Sequence, residues 1–396
     1  MSAMVLEKKF AWKQLAPCLD PFTIAAASVT NRTVRSWCVS PCGQLIVPFV
    51  CVDCQDTAAD QMIITIKSLP AIDRGEVIEL AIREGVGETQ NPDFFTLCLG
   101  WLLGPFVKLT KLDLSAWRGD WDRTLWMTVL RNLQRHSVAL DTLHFYGCPV
   151  QALKVLPTFS SLLELSLSVH ETSGQSAASL LESLADCGAS LCRLHSVRFE
   201  IVCGPGDCAS SLQRCLDAFP LMHIAILDDG YGHDETLARI LSQIRWPSNC
   251  CMVYLEAAFP GAELLALAEK ICCSRVLGFR LDHSLSRFDG SGLIASHVQE
   301  FLNRLQWSEL LEFYWVPPRK LPAVDYESVR TSLCALVDNL YSLRLLHIKS
   351  ANEGGFASED LAKVAWKWGV ELSCEAVDFR TCIGCCDCEF TGGGLV

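Results

Sequence analysis

Leu140-Asp-Thr-Leu143-His-Phe145-Tyr-Gly-Cys148-Pro-Val150 reads L-x-x-L-x-F-x-x-C-x-V, the leucine-rich-repeat consensus with an aromatic and a valine at tolerated apolar sites. In such a segment a short strand turns alternate apolar residues inward, and the cysteine position leads the chain away from the strand. One copy is weak evidence, because leucine is common. Degenerate copies lie on both sides of it. Each has six positions, with apolar residues at the fourth and sixth and, except in the copy that opens on Gln61, at the first. They run as Gln61–Ile66, Val77–Ile82, Leu109–Leu114, Leu140–Phe145, Leu162–Leu167 and Leu194–Phe199. They continue as Leu221–Ile226, Cys250–Leu255, Val276–Leu281, Leu310–Trp315 and Leu343–Ile348. The fourth positions fall 22 to 34 residues apart, except for a first interval of 16 between Ile64 and Leu80. This is an irregular but sustained repeat.

Helical stripes fill the intervals. Trp126, Val129, Leu130 and Leu133 keep i, i+3, i+4, i+7 spacing, as do Leu237, Ile240, Leu241 and Ile244. Leu212 to Phe219, Val298 to Leu305 and Val329 to Leu340 repeat the figure. Ser358-Glu-Asp and Asp234-Glu-Thr have the form of helix starts, and Pro220 and Pro247 stop helices before the next strand. Each strand-plus-helix unit has an apolar face that it cannot bury alone, so neighbours must stack. The expected fold is an α/β leucine-rich-repeat solenoid, a curved parallel sheet with helices on its outer face. It is expected over residues 59–378, after an N-terminal segment 1–58 without a visible period. Val370 to Val377 is expected to pair as a terminal strand, and a Cys/Gly-rich tail, 379–396, is expected to be disordered.

With half of 396 residues hydrophobic and 20% charged, the chain can bury a substantial core. A net charge of -12, with no basic run beyond Arg319-Lys320, argues against nucleic acid as a partner. The longest apolar run, Phe94 to Val107, is broken by Gly100, Gly104 and Pro105 and reads as buried helix rather than membrane span. No secretory leader is read at Met1 to Phe10, so the expected compartment is reducing, cytoplasmic or nuclear. Most of the 22 cysteines should then be free thiols. Cys38, Cys42, Cys51 and Cys54, spaced C-x3-C-x8-C-x2-C, are a candidate thiolate metal set, although the central gap is short for zinc. Cys382, Cys385, Cys386 and Cys388 form a second cluster, open to a soft metal, to lipid or to neither.

No catalytic motif is present, and no cofactor is expected. Asp228-Asp-Gly-Tyr-Gly-His233-Asp234 is the most polar stretch of the repeats, and its place after a strand reads as a capping loop. Of the tryptophans, Trp126, Trp366 and Trp368 are expected to pack within helical stripes. Trp117, Trp121, Trp307 and Trp315 fall at strand ends or turns and are the candidate interaction surface.

The irregular repeats, with phrases such as Leu109-Thr-Lys-Leu-Asp-Leu114, resemble the leucine-rich-repeat regions of mushroom-type fungal F-box-like proteins. The resemblance covers about residues 60 to 378. It implies that the repeats recruit a protein target and that a ubiquitin-ligase adaptor is a partner. The Leu-Pro-x-Glu-like opening of an F-box has no counterpart beyond Leu15-Ala-Pro17-Cys-Leu19. The expected function is a non-catalytic protein-protein interaction scaffold. A substrate-recruiting ubiquitin-ligase subunit and a cysteine-thiolate metal or redox protein are the alternatives.

Overall fold

The computed structural model describes residues 49–53, 73–83, 100–114, 123–136, 139–145, 153–169, 176–201, 208–228, 235–282, 294–318, 323–350 and 358–376. They fall into two compact units, Met1–Met222 and His223–Val396. The first holds strands β1 (Phe49–Asp53), β2 (Glu79–Arg83), β3 (Lys111–Leu114), β4 (Thr142–Phe145), β5 (Glu164–Val169) and β6 (Ser196–Ile201). Its helices are α1 (Arg123–Arg135), α2 (Ala177–Ala185) and α3 (Ala209–Asp217). The second holds β7 (His223–Asp228), β8 (Met252–Glu256), β9 (Gly278–Asp282), β10 (Glu312–Val316), β11 (Leu345–Ser350) and β12 (Glu371–Ala376). Its helices are α4 (Thr236–Gln243), α5 (Gly261–Cys272), α6 (Ala295–Leu305), α7 (Ala323–Asn339) and α8 (Glu359–Trp368). Within each unit every strand pairs in parallel with the next in chain order. The architecture is an α/β leucine-rich-repeat solenoid.

The register follows the fourth positions residue by residue. Leu80 faces Leu112, then Leu143, Leu165 and Val197 in the first unit. In the second, Ile224 faces Val253, then Phe279, Phe313, Leu346 and Leu372. First, fourth and sixth positions from Leu109 to Ile348 are at most 1% exposed, so each repeat delivers three residues to the core. The helical stripes meet them: Phe301 of α6 lies 6.5 Å from the Phe313 ring of β10, which stacks on Phe279 of β9 at 5.9 Å. Burying one such side chain stabilises the fold by about 1.5–3 kcal/mol.

Register is set at the entrances of β3 to β6 and β9 to β11. One backbone carbonyl accepts the amides of two successive residues of the following repeat, as Leu163 O does from His195 and Ser196. Leu277 O accepts likewise from Leu311 and Glu312, and Leu311 O from Arg344 and Leu345. Serine hydroxyls reinforce the step: Ser161 Oγ donates to Leu140 O at 2.7 Å and Ser342 Oγ to Leu310 O at 2.8 Å. Both acceptors are first-position leucines. Between these entrances the interval is free to vary. The 22-residue interval before β5 holds the 3-10 turn Leu156–Thr158.

The expected strand Gln61–Ile66 lies outside the described residues. β2 instead takes β1 as its neighbour, with Val50 facing Leu80, so the first interval is 30 residues rather than 16. Among the described residues the first strand of the sheet is therefore at Phe49, within the segment read as lacking a period. At the other end β12 pairs with β11, as expected of a terminal strand. Ser358 caps α8 by accepting the Leu361 amide, and Gly369 ends it at φ +68°, the left-handed turn that side chains resist. Asp234 lies outside the described residues. α4 starts at Thr236 without a side-chain cap.

Candidate functional site

With the first, fourth and sixth positions buried against helices, the third and fifth positions fall on the opposite face of each unit's sheet, which carries no helix among the described residues. Parallel register lines these positions up in rows. In the first unit the fifth-position row runs Ala81, Asp113, His144, Ser166, Arg198. In the second it runs Ala225, Tyr254, Arg280, Tyr314, His347, Ser373.

The first unit's row is a network of internal charge pairs. His144 Nδ1 lies 3.8 Å from Asp113 on β3, and its Nε2 lies 3.3 Å from Glu164 on β5. Burial alone would lower the His144 pKa, but the two flanking carboxylates more than reverse it and hold the imidazole at about 9. Glu164 is lowered in turn, chiefly by the His144 imidazole whose Nε2 approaches its carboxylate at 3.3 Å. A protonated imidazole thus clamps three strands. The carboxylates occupy opposite sides of the ring, so the trio does not chelate a cation, and among the described residues no metal-holding group of three His, Cys, Asp or Glu is found. Nearby, Ser168 Oγ donates to Glu200 at 2.9 Å and Arg198 pairs with Glu200 at 3.4 Å.

The second unit's row is aromatic. The Arg280 guanidinium sits 4.4 Å over the Tyr254 ring, and the Tyr314 and His347 rings lie 5.3 Å apart. Tyr254 OH donates to Glu256 at 3.0 Å. Burial, then the Glu256 carboxylate, pushes the Tyr254 hydroxyl well above its ordinary range. Tyr254 shares its buried flank with Ala225 and Leu227. In the third-position row Gly278 leaves room for Met252, whose Sδ would stand 2.0 Å from a Cβ there. The thioether therefore lies across the strand.

Of the tryptophans expected to form a surface, Trp117 and Trp121 lie outside the described residues. Trp307 is 78% exposed, directly after α6. Trp315 is corrected: at 1% exposure it is among the largest fully buried side chains, because the sixth position of its repeat points to the helices. The packing expected of Trp366 and Trp368 is also corrected. Trp366 is 87% exposed, off the Leu361–Ala365 stripe of α8. Trp368 rests in T-shaped contact with Tyr341 and donates its indole N–H to Asp338 at 2.7 Å. The Trp126 side chain is outside the described residues.

Cys38, Cys42 and Cys54 lie outside the described residues, as does the cluster from Cys382 to Cys388. Cys51 falls on β1, where it pairs with Ala81. The ten cysteines whose side chains are described are all free thiols. Cys272 donates to Arg304 O of the adjoining helix at 3.2 Å, and Cys187 to Leu153 O at 3.6 Å. Burial pushes the Cys250 thiol up to about 12 and Cys272 to about 11, the reverse of an activated thiolate. Asp229 to Asp234 lies outside the described residues. No helix of the described residues is long and apolar enough to cross a membrane.

No protein-family model matches the chain, and no curated protein does. Among solved structures, the complex of Rad7 and Elc1 from yeast is similar at 11% identity and a TM-score of 0.43, over 93% of this chain and 87% of that one. A Bacteroides fragilis protein is similar at 10% identity and a TM-score of 0.35, over 61% of this chain and 76% of that one. Likeness at this level carries no functional argument.

Proposed function

We propose that the chain is a non-catalytic protein-interaction scaffold whose helix-free strand face holds a macromolecular partner. The carrying observation is the row Tyr254, Arg280, Tyr314, His347. Four consecutive strands place large aromatic or cationic side chains at one register level, Tyr254 buried and Arg280, Tyr314 and His347 partly exposed, on the face away from the described helices. Tyrosine and arginine are the residue types that dominate binding hot spots, and a strand scaffold presents them with little ordering cost. Cys187 and Cys272, which donate to carbonyls and are pushed up by burial, support this reading over a thiolate redox role for those two thiols.

Affinity capture of the intact tagged chain from its own cells tests the proposal. Wild type is compared with Arg280→Ala/Tyr314→Ala and with Glu327→Ala, a control on α7. A reproducible partner set that falls about tenfold with the row variant and survives the control is the expected result. Indifference to the row variant sinks the proposal. Ubiquitin-ligase adaptor and cullin within the set would specify the scaffold as a substrate-recruiting ligase subunit, the role that the F-box-like resemblance implies.

A further inference from the structure

Resting on the scaffold reading, we infer that the face of the second unit docks a cationic protein segment, its lysine or arginine side chains seated among Glu312, Glu371 and Tyr314. The third-position row runs Glu312, Leu345, Glu371 across β10, β11 and β12. Two strand spacings set the two carboxylates about 10 Å apart, with the half-buried Leu345 between them. In the adjoining row lie the Tyr314 and His347 rings. Neither Glu312 nor Glu371 has an ion-pair partner among the described residues, whereas Lys111–Glu79 and Arg198–Glu200 on the first unit's face are paired internally. Burial, then the field of Glu312, pushes the Tyr314 hydroxyl up, and Glu371 adds to it against the opposing Arg280. Both carboxylates therefore act on the space around that ring.

The same face shows how such a guest is held. Arg280 lies over Tyr254, whose hydroxyl is bonded to Glu256: a guanidinium on a tyrosine ring beside a carboxylate, supplied from within the chain. One strand further, Tyr314 has the ring and the carboxylates, and among the described residues no cation covers it. Alternate side chains of an extended peptide repeat about every 6.8 Å, so a basic strand with cations at alternate positions reaches both glutamates. The face carries Glu256, Asp282, Glu312 and Glu371 against Arg280 and Lys349. That balance, on a chain of net charge -12, repels phosphate backbones and favours a basic protein segment.

The test titrates the intact chain into a fluorescein-labelled alternating Arg-Ser peptide, with a Glu-Ser peptide as the matched anion, and reads anisotropy at near-physiological salt. Glu312→Gln/Glu371→Gln keeps side-chain shape and should weaken Arg-Ser binding about tenfold. Glu327→Gln/Glu359→Gln makes the same charge change on α7 and α8 and should alter it by less than about twofold. Unchanged thermal unfolding of both variants shows that folding is not at issue. No binding by wild type, equal weakening by the two variants, or equal binding of the Glu-Ser peptide overturns the inference. If the captured partner set is lost with Arg280→Ala/Tyr314→Ala yet ignores Glu312→Gln/Glu371→Gln, the scaffold stands and the cationic guest falls. If neither variant changes the set, the scaffold reading itself has failed.

Discussion

At His144 desolvation opposes two carboxylates, and the carboxylates win. Its pKa is near 6.5 in the unfolded chain and about 9 in the folded one, so the folded state holds the proton more tightly. The stabilisation is complete below about pH 6.5, declines as pH rises and is gone above about 9. Its size is about 1–3 kcal/mol, since the ring is only 20% exposed. Urea midpoints should therefore fall between about pH 6.5 and 7.5, where few unfolded thiols have yet ionised, and His144→Gln should flatten that slope. A wild-type midpoint that holds steady across the window would refute the clamp. The position of His144 was legible in the sequence, since it follows the fourth-position Leu143 and must face away from the core. Its partners were not, because Asp113 and Glu164 come from other repeats and meet it only through register. Trp315 was misread although its own repeat places it at the sixth position beside Phe313.

For the elements, the strand entrance decides more than strand propensity does. Ser342→Ala removes the hydroxyl that bonds Leu310 O and should lower stability by about 1 kcal/mol, read as a shift in urea midpoint without loss of fold. An unchanged midpoint would mean that the shared carbonyl holds the register alone. Helices were legible wherever four apolar residues kept period: Leu237, Ile240, Leu241 and Ile244 are all buried in and just after α4. β1 falls in the segment read as lacking a period, because Val47-Pro-Phe-Val50-Cys-Val52 keeps the spacing with valine for leucine and a proline inside it. Trp366 shows the converse. It stands five residues after Leu361, about 140° around α8 from the buried stripe, so the period itself places it outward. The aromatic row of the second unit escaped the sequence reading because Tyr254, Arg280, Tyr314 and His347 are far apart in the chain. The fifth position of each repeat was the signal that joined them.

Across the whole molecule, stability is a sum over neighbours. Phe313 is fully buried between Phe279 and Phe301, and Phe313→Ala should cost about 3–5 kcal/mol. Hydrogen exchange should show the loss concentrated in β9, β10 and β11, with the amides of β3 to β5 keeping their protection. Loss spread evenly over both sets would mean that the array unfolds as one. The shared carbonyl at the entrances of β3 to β6 and β9 to β11 has a consequence for descent. Because alignment is renewed at these entrances, inserting or deleting residues between two of them lengthens or shortens a helix without turning any strand over. A lineage built this way tolerates indels that would scramble a closed sheet. Ancestry then fades from its letters long before it fades from its shape.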